Sequence, residues 1–377
     1  MLDLEQIIQN IESGLIEFVP GRDDEESIAS KYELSDRMAY YHVPGVSIAL
    51  IHEDKVEWAK AYGVLQAGSE KSVTTGSIFQ AASSTKLLTS MIVLHCVETG
   101  RLDLDRDVNQ YLRCWKIPQN DFTQKEKVTL RRILTHQSGL NRPDGGFSCE
   151  AGSMPSLAEW LNGQKPVQSR GAAVEYIPGA KWQYSNLGFL VIQAVLEDVL
   201  GKPFWQIARE TVLEPLGMVS STLKDPLEPH LKDLEAMPHD GEGVPHEPQK
   251  MGAAVAHAGL MTTACDFALL ALELMRAYRG VSSRILSQER VQQMLHFESD
   301  HAPEPAGFDL RQGLGVLLRG AGEKFSFLHP GSNEPGTICW IEGFPRQGLG
   351  WVILANGAMG DVLSLEIIKA IMDEHLN

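Results

Sequence analysis

Apolar residues in the first part of the chain follow two different spacings. Within residues 1–20 they recur every three or four positions, which predicts an amphipathic helix. Residues 46–52 are apolar and β-prone, a polar turn follows at 53–55, and 56–62 alternate between apolar and polar. This second pattern predicts a β-hairpin. The first part of the chain is therefore expected to contain one helix and two paired strands.

The middle of the chain is dominated by helical patterns. Residues 83–98 are apolar on more than one face and are followed by Gly100, which predicts a buried helix with a glycine stop. Residues 127–137 and 185–200 are two further helical runs. Residues 225–250 are rich in Pro, Gly, Asp and Glu, so we interpret them as an excursion over the surface.

Helical runs near 264–278 and 288–297 precede a region of another kind. Four apolar segments separated by Gly and Pro turns predict successive strands at 313–319, 325–329, 336–342 and 349–355. A last helix is expected at about 361–375. Strands thus lie near both ends of the chain and helices in the middle.

This distribution favours an α/β half built from both ends of the chain and an all-α half inserted between them. We expect the first half to comprise residues 1–75 and 255–377 and the mainly helical half to comprise 76–254. Pockets favour such junctions, so the active site is expected between the two halves.

Charge narrows the range of partners. The formal net charge is -16. So acidic a surface repels phosphate backbones and anionic lipid, and we expect neither nucleic acid nor a membrane as a partner. No stretch approaches the roughly 18 uninterrupted apolar residues of a membrane-spanning helix. A small molecule is the partner that remains, and the oligomeric state is open.

Cysteine usage favours a reducing compartment. The five cysteines are widely spaced and contain no C-x-x-C pair, which is typical of reduced thiols in a cytosolic protein. Residues 1–20 contain no Lys or Arg, so the charged start of a secretory signal is missing. A group of possible metal ligands (His239, Asp240, Glu242, His246) lies in the polar segment and is interpreted as solvated surface. We therefore expect a cytoplasmic protein without a metal or other cofactor.

The candidate chemistry begins with Ser83-Ser84-Thr85-Lys86, an S-x-x-K motif at the start of the predicted buried helix. Residues three apart share a helix face, so the hydroxyl and the amine can meet. A serine hydroxyl needs a base to take its proton, and a lysine can be that base when burial lowers its pKa. Ser221 and Lys224 form a second S-x-x-K, which we interpret as chance because no buried helix follows it.

Two later motifs complete the candidate site. Tyr184-Ser185-Asn186 offers a phenol that can relay protons and an amide that can orient a substrate carbonyl, or alternatively a helix cap. His329-Pro330-Gly331-Ser332 follows alternating residues, and its glycine would allow a ligand to approach the strand closely. The backbone N–H of Ser332 is a candidate oxyanion donor together with that of Ser83. The other H-x-G matches, at His239 and His257, do not follow a strand and are interpreted as structural or solvated.

In this order, S-x-x-K, Y-x-N and a K-T-G-like strand motif resemble the signature of the penicillin-recognising serine enzymes. The forms present here are similar to those of class C β-lactamases, serine D-Ala-D-Ala carboxypeptidases and the β-lactamase-like carboxylesterases of family VIII. The resemblance runs from about residue 36 to the last residue and includes three flanking blocks, at 133–140, 178–186 and 259–266. It implies an antiparallel sheet flanked by helices with an inserted helical domain. It also implies Ser83 as nucleophile, Lys86 as general base and Tyr184 as proton relay.

One departure from the family pattern bears on the substrate. Family members that bind β-lactams or D-Ala-D-Ala have K-[ST]-G, whose lysine and hydroxyl hold a carboxylate, whereas this chain has His329-Pro330-Gly331. Proline has neither a hydroxyl nor an N–H, and histidine is mostly neutral near pH 7. We therefore expect poor carboxylate recognition and an uncharged ester or amide substrate.

Several functions remain open at this point. Among enzymes we rank a carboxylesterase first, a β-lactamase second and a D-aminoacyl peptidase or amidase third. A non-catalytic penicillin-binding-type sensor is the alternative from another class, because some folds survive without their chemistry.

Overall fold

The computed structural model describes residues 4–19, 30–142, 148–150, 152–297 and 310–375. The α-helices are α1 (Leu4–Glu12), α2 (Leu34–Tyr40), α3 (Thr85–Glu98), α4 (Asp121–Lys125), α5 (Leu130–Leu134), α6 (Leu157–Asn162), α7 (Asn186–Leu200), α8 (Phe204–Ala208), α9 (Glu214–Leu216), α10 (Ala264–Tyr278), α11 (Gln288–Met294) and α12 (Gly360–His375). The strands are β1 (Leu15–Ile16), β2 (Lys31–Tyr32), β3 (Gly45–His52), β4 (Lys55–Gly63), β5 (Phe79–Gln80), β6 (Met261–Thr262), β7 (Arg311–Gln312), β8 (Leu317–Arg319), β9 (Ser326–Asn333), β10 (Thr337–Phe344) and β11 (Leu349–Ala355).

A seven-stranded sheet with the order β4-β3-β11-β10-β9-β8-β7 forms the centre of the fold. All neighbouring strands in it are antiparallel. The pairing of β3 with β11 joins strands from the two ends of the chain, as the sequence pattern predicted. An antiparallel sheet flanked by helices is thereby confirmed.

Both faces of the sheet are buried, because side chains alternate between them along each strand. Ile48 and Leu50 of β3 face a core shared with α1 and α12. Ala49 and Ile51, between and beyond them, face a larger core that includes α3, α7 and α10. This larger core crosses from the sheet into the helical middle of the chain. The division into two halves at residues 75 and 255 therefore stays a prediction.

Three elements differ from the sequence prediction. The helical run at 127–137 is reduced to α5, because Thr129 caps its start and His136, with a φ of 55°, leaves the helical conformation. The strand at 313–319 is reduced to β8, because Gly315 has a φ of 72° and its N–H binds Leu134 O instead of a strand. Strand β9 is longer than predicted: it continues past His329 through Pro330 and Gly331 to Asn333.

Helix α2 and the segment that follows β1 are anchored to α12. Arg37 of α2 binds the buried carboxylate of Glu366 through two nitrogens, at 2.6 and 2.8 Å. Tyr41 donates its hydroxyl proton to the same carboxylate at 2.7 Å, and the N–H of Phe18 donates at 3.1 Å. Removing one partner of such a buried pair typically costs about 3–5 kcal/mol. This ion pair therefore fixes the first helices against the sheet.

The polar segment 225–250 is irregular, as predicted, but it is tied to the body of the protein. Ile78 and Leu234 share a backbone hydrogen bond of 2.8 Å. The buried ring of His239 accepts from Ala67 N at 2.9 Å through Nε2 and donates to Asn356 O at 2.8 Å through Nδ1. This histidine is structural, and its ring nitrogens are both engaged.

The described residues contain no cluster of three or more His, Cys, Asp or Glu side chains arranged to hold a metal ion. No helix in the same ranges has the length and apolar character needed to cross a bilayer.

Candidate active site

Ser83 lies on a short 3-10 turn, Ala82–Ser84, directly before α3. The sequence predicted a helix from residue 83, but regular helix begins at Thr85. Ala82 has a φ of 47°, a left-handed conformation that is uncommon for a residue with a Cβ. The turn is half-buried at Ser83 and buried at its neighbours. The hydroxyl therefore stands at the rim of a cavity, on a backbone that its surroundings hold in place.

Strand β9 braces this turn from behind. Ser84 donates its hydroxyl proton to His329 O at 2.7 Å. A Cβ at Gly331 would lie 2.4 Å from Ala81 O and 2.9 Å from Ser84 N. The glycine of the H-x-G motif is thus required by the turn that carries Ser83. Its role in the approach of a ligand stays a prediction.

Lys86 is fully buried in the first turn of α3. Its Nζ lies 3.0 Å from Ser83 Oγ and donates to His257 O at 2.9 Å. No ion pair involves Lys86 among the described residues. Burial without a counter-charge lowers its pKa well below the usual value. This shift favours the neutral amine, which is the form that can accept a proton from Ser83.

Tyr184 approaches Ser83 from the other side. Its hydroxyl donates to Ser83 Oγ at 2.8 Å, and its ring centroid lies 4.9 Å from Lys86 Nζ. Burial raises the pKa of Tyr184 to about 12. The phenol therefore keeps its proton near pH 7 and is a hydrogen-bond donor in the resting site.

Asn186 begins α7, and the helix cap is Ser185, whose hydroxyl accepts from Gly188 N at 3.3 Å. The capping alternative for the Y-x-N motif thus applies to Ser185. The side-chain Oδ1 of Asn186 is buried and has no hydrogen-bond partner among the described residues. An unsatisfied buried acceptor of this kind costs free energy.

The position of Pro330 fixes the orientation of Ser332. Pro330 is paired with Trp340 on β10, and a proline cannot join a hydrogen-bonded pair because it has no N–H. Hydrogen-bonded and non-hydrogen-bonded pairs alternate along an antiparallel ladder. Ser332, two residues further and paired with Ile338, is therefore also in a non-hydrogen-bonded pair, and its N–H points away from β10. Pairing of β9 with β8 stops at Leu328, so beyond this residue β9 has an edge that no strand of the sheet covers and that is open toward Ser83.

His329 lies in the wall of the site as a neutral side chain. Its Nδ1 donates to Pro330 O at 2.8 Å, since a carbonyl can only accept. Burial lowers the pKa of His329 to about 3, and the nearby Lys86 contributes in the same direction. The imidazole therefore carries no positive charge at neutral pH.

Sequence reasoning missed two groups of the site. The carbonyl of His257 contacts Lys86, although His257 was interpreted as structural or solvated. The buried ring of His136 lies 4.4 Å from the ring of Tyr184, and its Nδ1 accepts from Ser185 N at 3.2 Å. His136 lay within a block used for the family resemblance, which was a signal for its importance. Nothing in the sequence indicated that a backbone carbonyl would accept a hydrogen bond from Lys86.

These groups open onto a cavity of about 470 Å³. Its lining among the described residues includes no Lys or Arg, and its one acidic side chain is Asp361 at the start of α12. Aromatic and apolar side chains form much of the remaining wall: Trp182, Tyr184, Leu317, Pro330, Ile338, Trp340 and Leu365. The cavity suits a largely apolar ligand without a negative charge.

The second S-x-x-K copy has no such arrangement. Ser221 Oγ donates to Asp266 Oδ2 at 2.8 Å, whereas Lys224 Nζ binds Glu228 Oε1 at 2.7 Å. Each side chain thus has a carboxylate partner of its own. This geometry offers Ser221 no base for nucleophilic chemistry from Lys224.

The family model described as Beta-lactamase matches residues 33–372. The chain belongs to this family of serine hydrolases. The "Unguisins hydrolase ungD'" of Aspergillus campestris (strain IBT 28561) is 29% identical over 188 residues, 48% of this chain and 34% of the relative. The "Putative D-alanyl-D-alanine carboxypeptidase" of Escherichia coli O157:H7 is 29% identical over 259 residues, 60% of this chain and 59% of the relative. This Beta-lactamase-family chain thus spans less than two thirds of either relative.

Solved structures show the same fold. The D-amino acid amidase from Ochrobactrum anthropi SV3, solved with L-phenylalanine, superposes with a TM-score of 0.74 at 21% sequence identity. The superposition covers 99% of both chains. The fold is therefore that of the Beta-lactamase family along nearly the whole chain.

Replacing the nucleophile gives the first test of the site. Ser83→Ala should lower kcat/KM for any substrate on the order of 10³-fold or more, because the attacking oxygen is lost. Ser221→Ala is the matched control from the second motif and should stay near wild type. Intact-mass spectrometry after treatment with a slow acylating ester, followed by digestion, should place the adduct on Ser83. An adduct on Ser221 would contradict the assignment.

The proton acceptors give the second test. Lys86→Met removes the amine at similar size, and Tyr184→Phe removes the phenol hydroxyl. Each should slow acylation by about 10²–10⁴-fold while circular dichroism shows a retained fold, because each variant loses a positioned proton-transfer group. Stopped-flow acylation rates would measure the effect. If both variants kept a kcat/KM near that of the wild type, Ser83, Lys86 and Tyr184 could not act together as the reacting groups.

Proposed function

We propose that the protein is a serine hydrolase that cleaves carboxylic ester bonds through an acyl-enzyme on Ser83. The observation that carries this proposal is the position of Ser83 Oγ, which lies 3.0 Å from Lys86 Nζ and 2.8 Å from Tyr184 OH. The pKa of Lys86 is lowered, whereas that of Tyr184 is raised. This difference supports Lys86 as the group that first accepts the proton of Ser83.

In the proposed reaction, Ser83 Oγ attacks the substrate carbonyl carbon as its proton passes to Lys86 Nζ. The oxyanion of the tetrahedral intermediate accepts from the N–H groups of Ser83 and Ser332. The proton then reaches the leaving oxygen by way of the Tyr184 hydroxyl, and the ester C–O bond breaks. Water repeats the same steps on the acyl-enzyme, which releases the acid and restores Ser83.

The substrate class is inferred from the charge of the cavity. A carboxylate needs a cation or several donors to offset the loss of its hydration. His329 is neutral, Pro330 has no N–H, and no Lys or Arg lines the cavity among the described residues. Asp361 would repel a second negative charge. An uncharged ester, by contrast, needs only the oxyanion donors and the apolar wall.

A second candidate is the amide of an amino acid with a free amino group. Asp361 is exposed at the cavity and forms no ion pair among the described residues, so it is available to an ammonium group. The similarity to the fold of a D-amino acid amidase agrees with this candidate. Amides carry the poorer leaving group, so we rank it after esters.

We also propose that the protein works in a reducing compartment such as the cytoplasm. All five cysteines are free in the structure, and Cys96 and Cys339 are buried in the core. Burial raises the pKa of Cys96 to about 11 and that of Cys339 to about 12, so neither is a reactive thiolate near pH 7.

The substrate proposal predicts a clear order of rates. Short-chain p-nitrophenyl esters should be cleaved with a much higher kcat/KM than a chromogenic cephalosporin or a D-Ala-D-Ala peptide, with D-amino acid amides between them. Steady-state kinetics on this panel would measure the order. A wild-type preference for the cephalosporin over every ester would make β-lactamase the better description.

Two substitutions in the cavity test the substrate class further with the same set of substrates. Pro330→Thr supplies a hydroxyl and an N–H at the open strand edge, and Asp361→Asn removes the negative charge. Both should shift the ratio of rates toward carboxylate substrates, whereas Val219→Asn, at a residue that is 89% exposed, should not. If Asp361→Asn instead lowered only the rate on amino acid amides, the second candidate would gain support.

The compartment proposal predicts a thiol count. Titration of the unfolded, non-reduced chain with a thiol reagent should find five thiols, and a strong reductant should leave activity unchanged. A count of three or one would show disulfides and would argue for an oxidising compartment.

A further inference from the structure

A buried glutamine on α7 holds the segment that passes behind the catalytic centre. Gln193 is 1% exposed. Its Oε1 accepts from the N–H groups of Val255 and Ala256, each at 3.1 Å. Its Nε2 donates to Ala253 O at 2.5 Å and to Glu197 Oε1 at 3.0 Å. All four hydrogen-bonding positions of the amide are filled. If the amide were rotated by 180°, its own N–H groups would face the N–H groups of Val255 and Ala256.

Helix α3 holds the same segment from the other side. Thr89 donates its buried hydroxyl to Ala256 O at 2.7 Å. Ala256 is thus fixed at its N–H by Gln193 and at its carbonyl by Thr89. The next carbonyl in the chain is that of His257, which accepts from Lys86 at 2.9 Å. Thr89 and Lys86 are three residues apart on one helix face, so the segment is held in register with the lysine.

We propose that Gln193 is a positioning residue for catalysis. By holding residues 253–256 it fixes the His257 carbonyl, and this carbonyl turns the lone pair of the Lys86 amine toward Ser83. The inference rests on the proposed function, in which Lys86 is the base. A neutral amine has two N–H groups and one lone pair, so anchoring one N–H to a fixed carbonyl restricts where the lone pair points.

The same carbonyl matters once Lys86 has taken the proton. The titratable groups that face Lys86 from the surrounding elements are His136, His257, His329 and Tyr184, with Arg142 6.0 Å from the Tyr184 ring. Burial lowers the pKa of the three histidines and raises that of the tyrosine, so none of these groups supplies a negative charge near pH 7. The His257 carbonyl is therefore the fixed dipole that stabilises the ammonium.

Gln193→Met tests the proposal, because methionine has a similar length and no hydrogen-bonding amide. Gln193 also borders a cavity of about 640 Å³, which gives the new side chain room. Acylation by a fluorophosphonate, measured across pH, should slow by about 10- to 100-fold. Losing the carbonyl acceptor destabilises the ammonium, so the acidic limb of the pH profile should move to lower pH by about one unit. The KM for a p-nitrophenyl ester should change little.

Two further variants separate positioning from stability. Asn356→Leu removes another buried amide, one that binds Gly45 N and Leu65 O, and should lower the melting temperature without moving the acidic limb. Gln193→Glu combined with Glu197→Gln restores an acceptor for the two N–H groups and a donor beside it, and the protonated carboxyl of the new Glu supplies the donor to Ala253 O. This double variant should recover at least a tenth of the wild-type acylation rate.

Thr89→Val gives an independent approach if Gln193→Met does not fold. It keeps the shape of the side chain and removes the donor to Ala256 O, and it should shift the acidic limb in the same direction by a smaller amount. A folded Gln193→Met or Thr89→Val variant with the wild-type acidic limb and acylation rate would overturn the inference. Failure of the fluorophosphonate to label Ser83 in the wild type would instead overturn the proposed function.

Discussion

The site depends on one buried amine that has no counter-ion. Lys86 is fully enclosed, and its polar contacts are a hydroxyl and a backbone carbonyl. An ammonium in such surroundings loses most of its hydration energy, which favours the neutral form. A carboxylate nearby would stabilise the charged form and remove the basicity that the proposed reaction needs. The proposed mechanism therefore depends on the lack of an ion pair at this position, which holds among the described residues.

This constraint explains why so many neutral groups surround the lysine. The three histidines that face it are held uncharged by burial, and the tyrosine keeps its proton for the same reason. The polar groups around the Lys86 amine are fixed dipoles and not charged side chains. The segment that carries the His257 carbonyl is held at Ala256 by hydrogen bonds with Thr89 of α3 and Gln193 of α7, and the turn at Ser83 is braced by Ser84 against β9. Such preorganised dipoles need little rearrangement when charge develops.

Much of this arrangement follows from local patterns in the sequence. Ser83 and Lys86 lie one helical turn apart, and Tyr184 stands directly before a long apolar helix, so each could be recognised in isolation. The hairpin β3–β4 was predictable as well, since Glu53 and Asp54 form its polar turn with positive φ values of 48° and 61°. The strands of the sheet were predictable as two separate groups of apolar segments, one near each end of the chain.

Contacts made by backbone atoms or across long separations were not predictable. The His257 carbonyl has no side-chain signature, and Gln193 reads in the sequence as one polar residue inside an apolar helix. The need for a glycine at position 331 was not predictable, because only the folded chain shows that the turn at Ser83 lies against it. The strand through Pro330 was missed for a related reason. Proline usually ends a strand, but it is tolerated here because its missing N–H faces an edge that no strand occupies.

The pairing of β3 with β11 has a consequence for synthesis of the protein. The hydrogen bond from Gly45 N to the Asn356 side chain joins residues 311 positions apart. At about 5–20 residues per second, a ribosome needs on the order of 15–60 s to make the intervening chain. During that time β3, which is apolar on both faces, has only β4 beside it and presents a bare edge on which other chains can aggregate. The nucleophile is likewise translated long before β9 brings Ser332 to it. The proposed oxyanion site is therefore incomplete over the same interval in which the edge of β3 is bare.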